Sequence, residues 1–479
     1  MFGAMNPIPH RLAISTVAAI CVNACDAPPS ERSLLHERVA EVAVAGSCLT
    51  PDGDACGEQS PSGDCYCDDG CVDFGDCCAD KVLVCDCDCA DLGPDAPPEC
   101  VESCAPDDPP AASCGDLAGG ALTFEAGASL GLTSPTAIVA ADFDADGAAD
   151  LVVLDRFEGE NHLLTYRGDG AGGFTLVADR VEALFLFEMV AGDVNADGHA
   201  DLVVLGGPGV GSTTRVSILL GAGDGSFAAP TVYTSLANSR DVILADIDAD
   251  ADLDLVVAAP QHVSVRRNTA GAFGGATNLA LNTGGVHRVD ATDLEADGDV
   301  DLLVSHDLVA GGVTILRNPG NAVFGAQQFM AVGSGTDDVL ARDLNNDGWP
   351  EIAALRWVGS KVISVRFNLV FLWTDPVILP AGGTEPRRLE ANDFDCDALL
   401  DLVTVSATGS AGSGFGVHPS RGDGSFEAPT YVDVFGMADV AIADFDSDGA
   451  PDVAAVRNAA GILDPELHGV DLFHARLSL

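Results

Sequence analysis

The chain has 479 residues, 47% of them hydrophobic, which is enough to bury a large core. Its 74 acidic side chains outnumber 22 basic ones and leave a formal charge of −52. That argues against nucleic acid as a partner, because phosphate binding needs a basic surface.

Residues 1–24 read as an export signal. His10-Arg11 is a modest basic start, and Leu12 to Ile20 is an apolar run too short to span a bilayer. Val22-Asn23-Ala24-Cys25 resembles a bacterial lipobox, which implies Cys25 as a lipidated first mature residue. Cys21 is the poorer candidate, because bulky Ile20 precedes it. The alternative is an ordinary signal cleaved near Ala24. The expectation is an exported protein, lipid-anchored on a bacterial cell envelope or else secreted, meeting membrane only through that anchor. Residues 25–47 form a polar tether.

Thirteen of the sixteen cysteines then fall between Cys48 and Cys114. In an exported chain this density means disulfides. The spacing of Cys48, Cys56, Cys65, Cys67, Cys71, Cys77, Cys78 and Cys85 resembles a somatomedin-B-like domain over residues 48–85. That resemblance implies the pairs Cys48–Cys67, Cys56–Cys85, Cys65–Cys78 and Cys71–Cys77. Zinc ranks below disulfides, since no histidine lies between His36 and His162. Residues 86–118 are a Cys/Pro/Asp-rich linker. Its Cys87, Cys89, Cys100, Cys104 and Cys114 are an odd set. Two pairs and one free or intermolecular thiol follow, if Cys25 is lipidated and Cys396 stays free in its loop.

From residue 119 one acidic loop recurs seven times, at 142–150, 193–201, 246–254, 293–301, 343–351, 393–401 and 444–452. Positions 1, 3, 5 and 9 carry oxygen donors. They are Asp142, Asp144, Asp146 and Asp150; Asp193, Asn195, Asp197 and Asp201; Asp246, Asp248, Asp250 and Asp254; and Asp293, Glu295, Asp297 and Asp301. The last three sets are Asp343, Asn345, Asp347 and Glu351; Asp393, Asp395, Asp397 and Asp401; and Asp444, Asp446, Asp448 and Asp452. Successive first acids lie 51, 53, 47, 50, 50 and 51 residues apart, the mark of a repeat architecture. Such a donor set suits a hard cation, above all calcium. Position 6 is glycine except at Ala251 and Ala398, where a positive φ is costlier and weaker binding is expected. Position 2 is always apolar and is expected to plug the core. An EF-hand is excluded, because position 12 carries no acid and the flanks are β-branched runs, not helical stripes. A solvated acidic turn without an ion is the bland alternative, and repulsion among clustered carboxylates argues against it.

This D-x-[DN]-x-D-G-x-x-D loop at this period resembles the FG-GAP/VCBS repeats of integrin α subunits and bacterial surface proteins. The resemblance covers residues 119–479 and implies an all-β, seven-bladed β-propeller with up to seven Ca²⁺ ions. In unit two the strands are read as Glu188–Gly192, Leu202–Leu205, Arg215–Leu220 and Ala228–Tyr233. A Gly-Asp-Gly turn links strands three and four at Gly168, Gly223 and Gly422, followed by the rings of Phe174, Phe227 and Phe426. Units three and four keep degenerate versions around Phe273 and Phe324, and unit five, near Phe371, has almost lost it. Unit seven lacks a fourth strand, while Leu122–Glu125 is surplus, so the ring is expected to close through it.

The acidic loops and the strand three-four turns then share one face. The other face carries variable connections, Asp155–His162, Gly206–Thr214, Ser305–Gly312, Ser406–Gly414 and Asn458–Gly469, with Phe157 and Trp357 as candidate contacts. Arg167-Gly168-Asp169 and Arg421-Gly422-Asp423 spell an adhesion tripeptide, but the recurrent turn explains their glycine and aspartate. The histidines are scattered singly. No nucleophile elbow, phosphate loop or zinc-protease motif occurs. The chain reads as a monomeric, non-enzymatic, calcium-binding surface or secreted binding protein for a carbohydrate or protein ligand. The alternative is a surface hydrolase or lyase acting on polysaccharide.

Overall fold

Runs such as Leu202-Val203-Val204-Leu205 are too uniformly apolar for a sheet with one wet face. They become the second strands of seven four-stranded antiparallel sheets, buried from end to end in blades two, three and four. A computed structural model describes residues 121–478, except 158, 183–184, 208–213, 308–310, 321, 357–360, 369–372, 384, 407–411 and 459–467. The export signal with Cys25, the tether, the cysteine-rich segment with Cys48–Cys85, and the linker lie outside the described residues. No described helix is long and apolar enough to cross a membrane.

Six blades are built from consecutive strands. In blade two these are Phe185–Gly192, Asp201–Gly207, Arg215–Leu219 and Thr231–Thr234. The outer strand starts three residues later than its sequence suggested, just after Pro230, which has no N–H to donate. Blade seven takes Met437–Ala443, Asp452–Asn458 and His468–Ser478 from the C-terminal end and Ala121–Gly131 from the N-terminal end. Leu122 stands opposite Leu477 and Phe124 opposite Ala475. The surplus strand therefore closes the ring.

The core lies between blades. Each position-2 side chain (Phe143, Val194, Ile247, Leu294, Leu344, Phe394, Phe445) is buried against the blade that follows. The next blade returns an aromatic ring onto that plug. Phe227 meets Phe143 edge-on at 5.5 Å, and Phe174 meets Phe445 at 5.6 Å. Phe124 meets Phe394 at 5.9 Å, so the N-terminal strand supplies blade seven's ring. In blade five that place belongs to Trp373, not Phe371, which lies outside the described residues.

Near the axis the blades are locked by charge. Five residues before each loop's first acid stand Ala137, Glu188, Asp241, Arg288, Asp338, Arg388 and Asp439. A β-bulge precedes that position in blades one, two, five, six and seven, which re-aims the side chain. Arg288 reaches Glu188 two blades away at 2.8 Å and Asp241 at 3.0 Å. Arg388 reaches Asp439 at 2.9 Å. Each aspartate of the set also accepts a backbone N–H from the next blade: Val289 to Asp241, Leu389 to Asp338 and Ile138 to Asp439, at 2.7–3.1 Å.

Truncating Phe124 to Ala should lower stability by about 2–3 kcal/mol, less than a fully buried ring because one face is open. A urea midpoint equal to the parent's would show that the closing strand is not held by its ring. Asp338 gives a second test. Burial pushes its carboxyl up to about 7. In the unfolded chain the same group releases its proton near pH ~4. The folded state thus binds the extra proton between those limits, and stability falls as pH rises through that window. Asp338→Asn should remove part of this fall in calcium-saturated protein, seen as a flatter unfolding midpoint from pH 5 to 8. An unchanged slope would refute it.

Candidate metal centres in the acidic loops

Each loop is a tight turn that its own carboxylates hold. The position-9 acid is fully buried in all seven blades. One of its oxygens accepts the position-2 N–H, as in Phe143 to Asp150 at 2.8 Å and Leu344 to Glu351 at 2.9 Å. The other accepts an N–H from the third strand or the residues just past it: Gly168, Gly221, Asn268, Asn318, Asn368, Ser420 and Ala475. Position 1 accepts the position-6 N–H in every loop. Position 5 accepts the position-7 N–H in every loop.

The backbone conformation follows from this. Position 6 takes φ of 87–91° where it is glycine, and Ala251 and Ala398 follow at 74° and 67°. Position 4 is also left-handed, at Ala145, Ala196, Ala249, Ala296, Asn346, Cys396 and Ser447, with φ of 53–62°. Each such residue costs about 1 kcal/mol, which the carboxylate hydrogen bonds offset. Cys396 is disulfide-bonded, which corrects the expectation of a free thiol.

Position 3 accepts the position-5 N–H, as in Asp197 to Asn195 at 3.1 Å and Asp347 to Asn345 at 2.9 Å, but where it is an aspartate its second oxygen has no such duty. Asp144, Asp248, Asp395 and Asp446 each keep one oxygen buried without a hydrogen-bond partner. Orphaned buried carboxylate oxygens are costly unless a cation meets them. The donor atoms converge within 4.8 Å in loops one, three, six and seven, through Asp142, Asp144 and Asp146; Asp246, Asp248 and Asp250; Asp393, Asp395 and Asp401; and Asp444, Asp446 and Asp448. In loop seven, His474 also joins Asp446 and Asp452. In loops two and five the position-3 residue is an amide that donates to position 5, Asn195 to Asp197 at 2.8 Å and Asn345 to Asp347 at 3.1 Å. Burial raises the buried acids, to about 6 at Asp254 and Asp301, about 7 at Glu351 and about 8 at Asp401. An all-oxygen, acid-rich set of this kind fits a hard divalent ion.

The strand three-four turn has a duty that sequence reading missed. It donates to the position-2 carbonyl of the preceding blade. Backbone N–H groups do this at Gly225 to Phe143 and Gly172 to Phe445. In blades three, four and five a buried asparagine does it instead: Asn268 to Val194, Asn318 to Ile247 and Asn368 to Leu294, at 2.6–3.1 Å. Ser420 serves blade six. The recurring Asn after the third strand was the available signal. The turns also correct a register. Gly168 is equivalent to Gly221 and Ser420, so Asp169 falls two residues before the position of Asp224 and Asp423. The two Arg-Gly-Asp tripeptides are thus not in equivalent places. Their aspartates cap the turn, Asp169 to Ala171 and Gly173, and Asp423 to Ser425. Arg421 pairs with Glu427 at 3.3 Å.

On the opposite face the connection expected at Asp155–His162 is a hairpin, with Asp155 paired to His162 and Phe157 to Glu160. Phe157 is 45% exposed and packs edge-on against His162. Trp357 and most of the other variable connections lie outside the described residues. Two cavities open on this face. One of ≈ 350 Å³ is lined by Leu236, Asn238, Pro260, Gln261, His262 and Gly285. The other, of ≈ 190 Å³, is lined by Gly382, Thr404, Ser406, Gly416, Tyr431 and Asp433.

Residues 142–204, 193–257, 246–304 and 293–354 match the FG-GAP-like repeat family. These blades carry FG-GAP-like repeats. No curated protein matches the sequence. Among solved structures, the BP39L lectin of Burkholderia pseudomallei is similar, with a TM-score of 0.53 and 14% identity over 72% of this chain and 97% of that one. An Agrocybe aegerita lectin recognising non-reducing terminal N-acetylglucosamine aligns at 0.45 and 17%, over 70% and 84% of the two chains. An exotype rhamnogalacturonan lyase aligns at 0.42 and 12%, over 71% and 61%.

The four donor positions should separate on mutation. Asp401→Ala strands two buried N–H groups, of Phe394 and Ser420, and should cost about 2–5 kcal/mol even in chelator. Asp142→Ala, at the rim, should cost less than about 1 kcal/mol there. Equal losses in chelator would mean that position 9 has no structural duty of its own.

Proposed function

We propose that the propeller is a calcium-stabilised, non-enzymatic binding module that takes a carbohydrate or protein ligand on the face opposite its acidic loops. The observation that carries this reading is the position of the two cavities. Both lie among strand two-three and four-one connections, away from the seven metal loops. The larger offers an amide, an imidazole and apolar walls, the mixture that fixes a small ligand's orientation. Neither cavity is lined by a pair of carboxyl groups, so the hydrolase alternative gains nothing from them. Lectins of similar fold are an analogy of fold only. Orphaned oxygens at position 3 support calcium in the loops. The export signal at residues 1–24, with Cys25 as its lipidation site, supports display at the cell surface.

Calcium-loaded protein should bind members of a glycan array, and excess chelator should abolish that binding by loosening the ring. Gln261→Ala or His262→Ala should weaken capture at least ~10-fold, a loss of about 1.4 kcal/mol. Capture unaffected by either variant and by Tyr431→Ala would move the ligand away from these cavities. An array without hits, joined to cleavage of a polysaccharide, would replace this reading with the enzymatic one.

A further inference from the structure

Seven loops share one frame, yet the side chains that face position 3 differ from blade to blade. The residue before the position-9 partner is Arg167, Leu220, Arg267, Arg317, Phe367, Pro419 and His474 in turn. Arg167 stands 3.8 Å from Asp144 and Arg267 hydrogen-bonds Asp248 at 3.3 Å, but both guanidinium side chains stay half exposed and each meets only the position-3 acid. Arg317 is 24% exposed and lies on its loop. It lies against the Glu295 carboxylate as an ion pair and hydrogen-bonds, at 3.2 Å, the fully buried Asp301. The longer side chain of Glu295, where other loops have Asp or Asn, lets it meet the guanidinium.

Loop seven reaches the same end by another route. Blade seven has no strand three-four turn, because its third strand runs on to Ser478 to pair with the N-terminal strand. Arg476 is therefore carried to where other blades turn away. Its guanidinium bonds Asp446 and Asp448 at 2.7 Å each. His474 adds its Nδ1 against Asp452 at 3.0 Å and Asp446 at 3.3 Å. Loop six has no such guard. Pro419 holds the equivalent place; one Asp395 oxygen is buried and unpartnered, as is one Asp446 oxygen in loop seven, so the loops differ in the neighbouring cation and not in that oxygen.

We propose that loops four and seven carry a built-in cation, the guanidinium of Arg317 or Arg476, and do not take calcium. A divalent ion there would have to displace the arginine or sit beside a like charge. This inference rests on the calcium reading of the other loops and changes its stoichiometry. Those two loops would then keep two blades in shape when calcium is scarce.

The count of bound calcium on the whole protein tests it, by equilibrium dialysis with elemental analysis and by native mass spectrometry. At saturation the protein should bind no more than five ions. Arg317→Ala and Arg476→Ala should each gain one ion, and Arg317→Lys should gain none. In chelator, Arg317→Ala should unfold at a lower midpoint than the parent and recover on adding calcium. Six or seven ions on the unaltered chain would overturn the proposal, as would alanine variants whose count does not rise. A count of zero would remove the calcium reading itself, and this inference with it.

Discussion

Everything in the ring depends on one buried carboxylate per blade. The position-9 acid sits where no water reaches and holds two backbone N–H groups, one from the loop and one from the end of the third strand. Either N–H left alone would carry a desolvation cost of about 1–3 kcal/mol. The first bond turns the loop so that its position-2 side chain points inward. The second fixes the height of the third strand against it. The plug then fills the gap to the next blade, whose turn bonds back to the plug's own carbonyl. The acid that looks like a metal ligand is first a structural joint.

Closure repeats that joint across the two ends of the chain. Phe124 packs on Phe394 as Phe227 packs on Phe143, although it is carried by a strand more than 300 residues from its blade-mates in sequence. Closed this way, the seventh sheet has four strands like the other six. The axial charges add a second lock. Arg288 and Glu188 meet from non-neighbouring blades, so they resist slippage that blade-to-blade packing alone would allow. Charges buried in this manner contribute little net stability but penalise any register in which one of them is left unpaired.

The repeat, the seven blades, the inward plugs and the closing strand were legible in the sequence, because each recurs at a fixed offset from Asp142 and its counterparts. What stayed hidden recurs in place but not in residue type. The interblade bond comes from glycine N–H groups, from Asn268, Asn318 and Asn368, or from Ser420, so no single letter marks it. The axial set alternates acid, arginine and alanine for the same reason. The left-handed position 4 is filled mostly by alanine, which announces no such conformation. The shared Gly-Asp-Gly spelling misled in the other direction, aligning Asp169 with Asp224 when the hydrogen bonds place them two residues apart. The hairpin at Phe157 was taken for a loop because its charged, polar letters conceal continued strand pairing.

The two faces of the ring live under different constraints. On one, each residue from position 1 to position 9 answers to a hydrogen bond, a plug or an ion, and the strand three-four turn answers to the neighbouring blade. Change there is paid in stability. On the other, the described strand two-three and four-one connections share only a closing backbone bond, as in Ser235 to Thr214, Leu281 to Gln261 and Val434 to Ser413, and their lengths and letters differ from blade to blade. Ligand selection can evolve there without loosening the scaffold, which is why a rigid, cation-held ring suits a binding role. On the proposed reading, calcium and arginine would be two solutions to one electrostatic problem, the gathering of carboxylates that the fold itself requires. Where a loop recruits an arginine from its third strand or the residue just past it, as at Arg476 and Arg317, the fold would need no ion at that blade.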